Sequence, residues 1–375
     1  ARHKGRMRLL LGNTLVFALG GLAIKAVSLV LMPLYTTALT AGEYGTAELL
    51  NSAIEIVLPL LSLGVVEALY RFSIDDDVPK DELFAGSLVV LGGGVIGVEF
   101  ASAWASMGSQ VTIIEGLPHL VPNEDEAISK QLERAFRKRK ITFRTNTMFE
   151  SVERHDGGVT VRTQDGKTHE AEVLLIAVGR GPATANLGYE EVGVAMDRGF
   201  VLADEYGRTN VPGVWAVGDI VPGVQLAHRG FAQGIVVAEK IAGLDPTPVD
   251  DVLVPKVTFC EPEIASVGLS EAKAAEIHGK ENITSAEFNV AGNAKSQILG
   301  TQGFVKLVSL KDGPILGFHA IGARMGEQVG EGQLMVSWEA DADDVAALVH
   351  AHPTQNETLG EAAMALAGKP LHNHG

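Results

Sequence analysis

The sequence predicts an α/β fold with a parallel sheet, preceded by a helical hairpin, and three observations predict it. A short apolar run at residues 88–91 is followed by Gly92, Gly94 and Gly97, and then by an Ala-rich segment suited to a helix. A second apolar run at residues 111–114 ends on Glu115. Upstream of about residue 86 the chain changes character, to long apolar stretches with few charges. Short continuous apolar runs mark strands covered on both faces, as in parallel sheets.

Taken in order, the chain begins with Arg2, Lys4, Arg6 and Arg8, ahead of an apolar run over residues 9–36 broken only by Asn13 and Lys25. That run exceeds the roughly 20 residues needed to cross a bilayer. A second run, over residues 49–66, carries Glu55 near its start and Pro59 inside it. Residues 9–66 therefore read as a transmembrane helical hairpin whose basic N-terminus stays in the cytoplasm. A signal peptide is the poorer reading, because the first run is too long and no small-residue cleavage site stands out. A buried hairpin of a soluble domain is the alternative.

Composition narrows the function classes. A chain of 375 residues has room for two to three domains. Its net charge of −16 argues against nucleic acid as a partner. Its one cysteine, Cys260, excludes any internal disulfide and fits a cytosolic protein. The Asn-x-Thr triplets at Asn282 and Asn356 then read as chance rather than as glycosylation sites. No solenoid-type repeat is present.

The run of strand, glycines, helix, strand and acid has the mechanics of a dinucleotide site, a Rossmann-like βαβ unit. Gly92 permits the tight turn, Gly94 lets a pyrophosphate approach the backbone, and Gly97 lets helix and strand pack closely. The helix N-terminus offers unpaired N–H groups and a partial positive charge to phosphates. Glu115, 23 residues after Gly92, stands where an acid would bond the ribose hydroxyls and repel a 2′-phosphate, so NAD is expected over NADP.

Two later motifs carry chemistry of their own. Residues 214–219 read as an apolar strand ending in Gly218 and Asp219, which places a carboxylate where ligands bind in open α/β sheets. An aspartate capping the next helix is the alternative. Near the C-terminus, Pro353 suits the first turn of a helix, which would put His352 just ahead of it and Glu357 just over a turn inside. A carboxylate there accepts the imidazole N–H, fixes its tautomer and raises its basicity. Taken alone, a histidine before a proline reads as structural. His350 is expected to pack nearby, and His372 with His374 to form a frayed tail; no metal site is expected.

From Leu88 to the end, four motifs follow one another as they do in the dihydrolipoamide dehydrogenases of the flavoprotein disulfide reductase family, which this part of the chain resembles. They are residues 92–115 with 122–125 beyond, residues 174–180, residues 209–219 and residues 350–357. The resemblance implies an NAD-binding domain at residues 87–199, a remnant of an FAD-binding domain at 200–252, and an α+β dimerisation domain at 253–375. It implies that the segment ending at Gly179 lies beside the nicotinamide. Asp219 would hold the ribityl hydroxyls of FAD, with backbone at Leu226 and Ala227 facing the isoalloxazine. His352 would deprotonate the lipoyl thiol, with Glu357 orienting it. The implied function is NAD-linked oxidation of dihydrolipoamide, by a cytoplasmic homodimer in which His352 faces the other subunit's flavin and a lipoyl domain is the partner.

The sequence departs from that family at one end. The family opens with another glycine fingerprint for the ADP half of FAD and then presents two cysteines four residues apart. Neither is in this sequence, and the lysine with which Glu99 would pair beside that disulfide is missing too. Cys260, in the strand-like segment 257–263, reads as a core residue. In the FAD half's place, residues 13–17, 33–40, 43–46 and 71–72 resemble the first two transmembrane helices of polysaccharide flippases. With the join at residues 84–91, the chain reads as a fusion or a sequence-assembly chimera, carrying a membrane anchor and poor at binding FAD. Two other readings stand beside an incomplete dehydrogenase: a flippase-like membrane protein fragment, and an NAD-binding module without turnover.

Overall fold

The computed structural model describes residues 86–372. The expected transmembrane hairpin, the flippase-like segment and His374 lie outside the described residues. Among the described residues no helix is long and apolar enough to cross a membrane.

In chain order, β1 Ser87–Leu91, helix α1 Val95–Ser106, β2 Gln110–Ile114, helix α2 Glu126–Lys138 and β3 Thr142–Arg144 come first. A hairpin sheet of β4 Phe149–His155, β5 Gly158–Thr163 and β6 Thr168–Ala171 then leads into β7 Val173–Ile176. β1 pairs in parallel with β2 on one side and β7 on the other, and β3 extends the sheet in the order β3-β2-β1-β7. This central position is why Leu88, Val89, Val90 and Leu91 are all buried and why the strand shows no polar alternation.

Helix α2 shows how the sequence sets an orientation. Ile128, Leu132 and Phe136 recur every four residues and are fully buried, while Lys130 and Arg134 face solvent. Asp125 caps its start by accepting the Ala127 N–H at 3.0 Å. Arg137 and Lys138 in the last turn complement the helix dipole.

The middle of the chain is thinly structured. β8 Met196–Asp197 and β9 Phe200–Val201 form a short hairpin, and the 15-residue helix α3 Ala227–Ile241 follows. The strand expected at residues 214–218 is not formed. Its backbone bonds turn back locally instead: Ala216 N–H reaches Gly207 O at 2.8 Å and Thr209 N–H reaches Val214 O at 3.1 Å. Only an isolated bridge, Arg208 to Trp215, results, and Asp219 sits in the 3-10 turn Gly218–Ile220.

The C-terminal part comprises β10 Lys256–Thr258, β11 Glu263–Gly268, α4 Glu271–His278, β12 Ile283–Asn289, α5 Ala294–Leu299, β13 Phe304–Leu310, β14 Ile315–Gly322, α6 Val329–Ser337, α7 Ala342–Ala346 and α8 Glu357–Leu366. Its strands make one antiparallel sheet in the order β10-β11-β14-β13-β12. Both faces of this sheet are covered. Ala265, Val305 and Ala320 point into a core with Met335, Val336, Leu359 and Ala363 from α6 and α8. Their neighbours Ile264, Phe304 and Ile321 point the other way, into one core with Val98, Ala101, Leu132 and Phe136 of α1 and α2. Alternation along a strand thus fuses the parallel unit to the C-terminal sheet. Cys260 lies in this shared core, as expected of an inert thiol: its Sγ is 3.1 Å from Pro262 O, and burial pushes its pKa up to about 12.

Candidate dinucleotide cleft and acid–base pair

A cleft of about 760 Å³ opens where β1, β2 and β7 end, closed opposite by residues 223–226 and 256–258. Each glycine of the fingerprint has its own reason to be glycine. Gly92 has φ +102, and a Cβ there would meet the Ala177 carbonyl. A Cβ on Gly97 would run into the Gly92 carbonyl oxygen. Gly94 is the N-cap of α1, lines the cleft, and has open space where a side chain would stand. The first N–H groups of a helix have no intrahelical partners, so α1 presents donors to an anion at this point.

Glu115 lies on the cleft wall, only 9 % exposed. One carboxylate oxygen accepts the Gly93 N–H at 2.5 Å and the other the Leu117 N–H at 2.7 Å. Two backbone amides therefore hold a negative charge at the end of β2. Gly179, with φ +133 and nothing near its Cβ position, lines the opposite wall beyond β7. Glu99 does not line the cleft. Its carboxylate accepts the Phe259 N–H at 2.7 Å, which ties α1 to the end of β10.

Asp219 is brought to the same region through Arg180. The guanidinium lies 3.2 Å from Asp219 Oδ2 and donates to Gln225 O at 2.5 Å. Leu226, the extended N-cap of α3, lines the cleft, and Ala227 opens that helix. These residues do not by themselves fit FAD. Asp219 is engaged by Arg180, and the sequence holds no second glycine fingerprint to supply amides to the flavin nucleotide's phosphates.

His352 and Glu357 form a separate site that does not line the cleft. Helix α8 starts at Glu357, not at Pro353, which corrects the expected helix start. Residues 353–356 make a turn instead, in which Thr354 Oγ1 donates to Ala351 O at 2.6 Å and Thr354 N–H to Glu357 Oε2 at 2.8 Å. The other Glu357 oxygen lies 2.8 Å from His352 Nδ1. Burial favours the neutral Glu357 acid, but the Thr354 amide and His352 outweigh it and hold the carboxyl below its ordinary range. A carboxylate at Nδ1 favours the tautomer in which a neutral ring keeps its proton there and presents Nε2, on a side chain 71 % exposed.

Beside it, His350 Nε2 lies 2.8 Å from Glu331 Oε1, while Asn356 Nδ2 donates to Glu331 Oε2 at 2.6 Å. His372 is not a frayed tail: its Nδ1 lies 2.6 Å from Glu361 Oε1 and its N–H donates to Oε2 at 3.1 Å. The buried carboxylate of Glu361 on α8 captures it. Among the described residues no group of His, Cys, Asp and Glu is placed to hold a metal ion.

Sequence reasoning missed one buried group. Lys306 on β13 reaches Asp125 Oδ1 at 2.9 Å and Glu271 Oε2 at 2.7 Å, and His319 lies buried beside it in cross-strand register. The available signal was a lone lysine inside the apolar strand 304–308, on the same face as Phe304.

Comparison with known proteins agrees with this geometry. Residues 62–234 match the family described as pyridine nucleotide-disulphide oxidoreductase, and residues 254–363 match the dimerisation domain of the same family. The chain is 41% identical over 303 residues to the dihydrolipoyl dehydrogenase of Bacillus subtilis, a match covering 79% of this chain and 63% of that relative. It is 40% identical over 299 residues to the dihydrolipoyl dehydrogenase of Rhizobium etli, covering 78% of this chain and 62% of the relative. Among solved structures it resembles LpdA from Mycobacterium tuberculosis with TM-score 0.70 and 28% identity, covering 76% of this chain and 62% of that one. The HOCl-induced flavoprotein disulfide reductase RclA from Escherichia coli is as similar, at TM-score 0.70 and 28% identity, over 75% of this chain and 65% of that one. The chain thus spans less than two thirds of the length of these relatives. Its glycine cleft and its C-terminal sheet fall within two adjoining matches of one kind, and the chain belongs to the pyridine nucleotide-disulphide oxidoreductase family.

Proposed function

We propose that this chain carries the NAD-binding and acid–base parts of a dihydrolipoyl dehydrogenase-type oxidoreductase. The observation that carries the reading is the His352–Glu357 pair, an exposed imidazole whose Nδ1 is bound to a carboxylate, in a chain that also holds a glycine-lined cleft. NAD fits that cleft: Gly94 leaves room for its pyrophosphate at the N-terminus of α1, and the Glu115 carboxylate suits a ribose without a 2′-phosphate. Bound there, NAD would serve as hydride acceptor. Glu357 holds the tautomer, and His352 Nε2 accepts a thiol proton from a dihydrolipoyl group. The dimerisation match supports a homodimer in which each subunit offers His352 to its partner.

The chain's own residues do not fit FAD and supply no flavin step. The basic residues ahead of the N-terminal apolar runs favour a cytoplasmic placement of residues 87–375, anchored to the membrane if the hairpin forms. Equilibrium titration of the full chain with NAD tests the cleft. Saturable binding that Gly94→Val abolishes is expected, and absence of binding by the unaltered chain would sink the reading.

A further inference from the structure

A second cavity, of about 710 Å³, runs along β3, the edge strand of the parallel sheet. Four cations converge on it: Arg137 and Lys140 from the end of α2, Arg144 from β3, and Lys167 from the turn between β5 and β6. No acidic residue lines it, in a chain whose net charge is −16. Thr142 and Thr147 add hydroxyls, and Thr147 also belongs to the wall of the dinucleotide cleft. The two cavities are neighbours whose linings share Thr147 alone.

The cations differ in how they are held. Arg137 is placed by Glu133 at 3.3 Å and by stacking over the Phe143 ring, 4.6 Å from its centroid. Lys167 is paired with Asp165 at 2.6 Å. Lys140 and Arg144 meet no carboxylate within ion-pair distance among the described residues. The C-terminus of α2 brings roughly half a negative charge to the same place; with Arg137 and Lys167 each balanced by a carboxylate, the two charges of Lys140 and Arg144 still outweigh it. The field is felt nearby: burial first, and Arg144 next, hold His169 below its ordinary pKa.

We propose that this cavity is a binding site for a compact polyphosphate group, inorganic or carried on a nucleotide. Several charges on adjoining phosphates match several cations on adjoining elements, and an arginine fork bonds phosphate oxygens in pairs. The inference is independent of the NAD reading and concerns a site beyond it.

Calorimetric titration of the full chain with tripolyphosphate, pyrophosphate and ATP, in the presence of millimolar NAD and at ionic strength fixed with NaCl, tests it. One site per chain is expected, with tripolyphosphate bound more tightly than pyrophosphate. The K140Q/R144Q double variant should weaken binding by at least about tenfold and flatten its salt dependence, while K140R/R144K should keep most of it. Lys140 and Arg144 are both exposed, and R144Q alone should already show part of the loss. ATP bound as tightly as tripolyphosphate identifies a nucleotide as the source; ATP bound more weakly identifies the inorganic anion. Either result supports the site. Failure to bind any of the three at millimolar concentration overturns it, as does unchanged binding by K140Q/R144Q or equal binding of sulfate.

Discussion

Lys306 Nζ lies 2.9 Å from Asp125 Oδ1, and both side chains are almost fully buried, although 181 residues separate them in the chain. Asp125 caps α2 at the back of the dinucleotide cleft, just after Asn123 and Glu124 on its wall. Lys306 belongs to the C-terminal sheet. Asp125 Oδ2 also accepts the Glu271 N–H at 3.0 Å. The pair is therefore a buried polar bolt through the seam between the two parts of the fold, which Glu99 with the Phe259 amide and Ser102 with the Glu261 amide also tie together. Burial alone would neutralise both partners. For Asp125, His319, the Glu271 amide and Lys306 overcome burial and keep the carboxyl below its usual range; for Lys306, Glu271 and Asp125 keep the amine charged.

Removing the cation from this group leaves Asp125 buried and uncompensated, with Glu271 and Glu287 close by. Lys306→Met should therefore cost about 3–5 kcal/mol of stability. Chemical denaturation at neutral pH measures it. A loss below about 1 kcal/mol would show that water reaches the carboxylates and that the bolt does not hold the seam.

Much of this architecture is legible in the sequence, and the rest is illegible for definite reasons. Residues 88–115 reveal strand, turn, helix and strand because the apolar runs and the glycine spacing are local patterns: Gly92 permits a positive φ, Gly97 packs on the Gly92 carbonyl, and Gly94 leaves the cleft open. The pairing of His352 with Glu357 is likewise a matter of five residues. The strand expected before Asp219 fails because a strand needs hydrogen-bonding neighbours, and 214–218 pairs only with the preceding turn. The helix expected at Pro353 begins at Glu357, whose side chain is drawn back to Thr354 and His352. Lys306 and Asp125 meet only through tertiary packing, which no local pattern encodes.

The Glu115 carboxylate, held by the Gly93 and Leu117 amides, should make the cleft prefer NAD to NADP. A 2′-phosphate would meet a like charge in a poorly solvated place, a difference of about 1–3 kcal/mol. Parallel titrations with both nucleotides check this, and Glu115→Gln should narrow the gap. NADP binding as tightly as NAD to the unaltered chain would contradict it.

His350 offers a pH-dependent test. Its hydrogen bond to Glu331 is the main cause that raises the imidazole pKa, and burial opposes it; His350 in turn lowers the Glu331 carboxyl. A raised histidine adds stability that is complete below its unfolded pKa, about 6.5, and fades as pH climbs through the folded value. The lowered carboxyl adds stability above about pH 4.5 that fades as pH falls. The pair therefore contributes most between these limits. His350→Gln should cost about 2 kcal/mol near pH 5.5 and clearly less near pH 9. Equal losses at both pH values would mean that the histidine acts by packing alone.

The last expectation concerns turnover. Dihydrolipoamide carries two thiols, and oxidising it through a protein disulfide requires a cysteine pair, because the mixed disulfide must be resolved by a neighbouring thiol. Cys260 is the one cysteine in the sequence. It is buried, and its pKa is pushed up to about 12 by desolvation first and by Glu99 next, so the thiolate that would attack is absent at neutral pH. This chain alone, supplied with NAD and FAD, should give no NADH from dihydrolipoamide, while still binding NAD. A thiol reagent should find no reactive cysteine in the folded protein and one per chain after unfolding. Turnover of dihydrolipoamide by the purified chain, or rapid modification of Cys260 in the native state, would show that a redox centre exists which residues 86–372 do not contain.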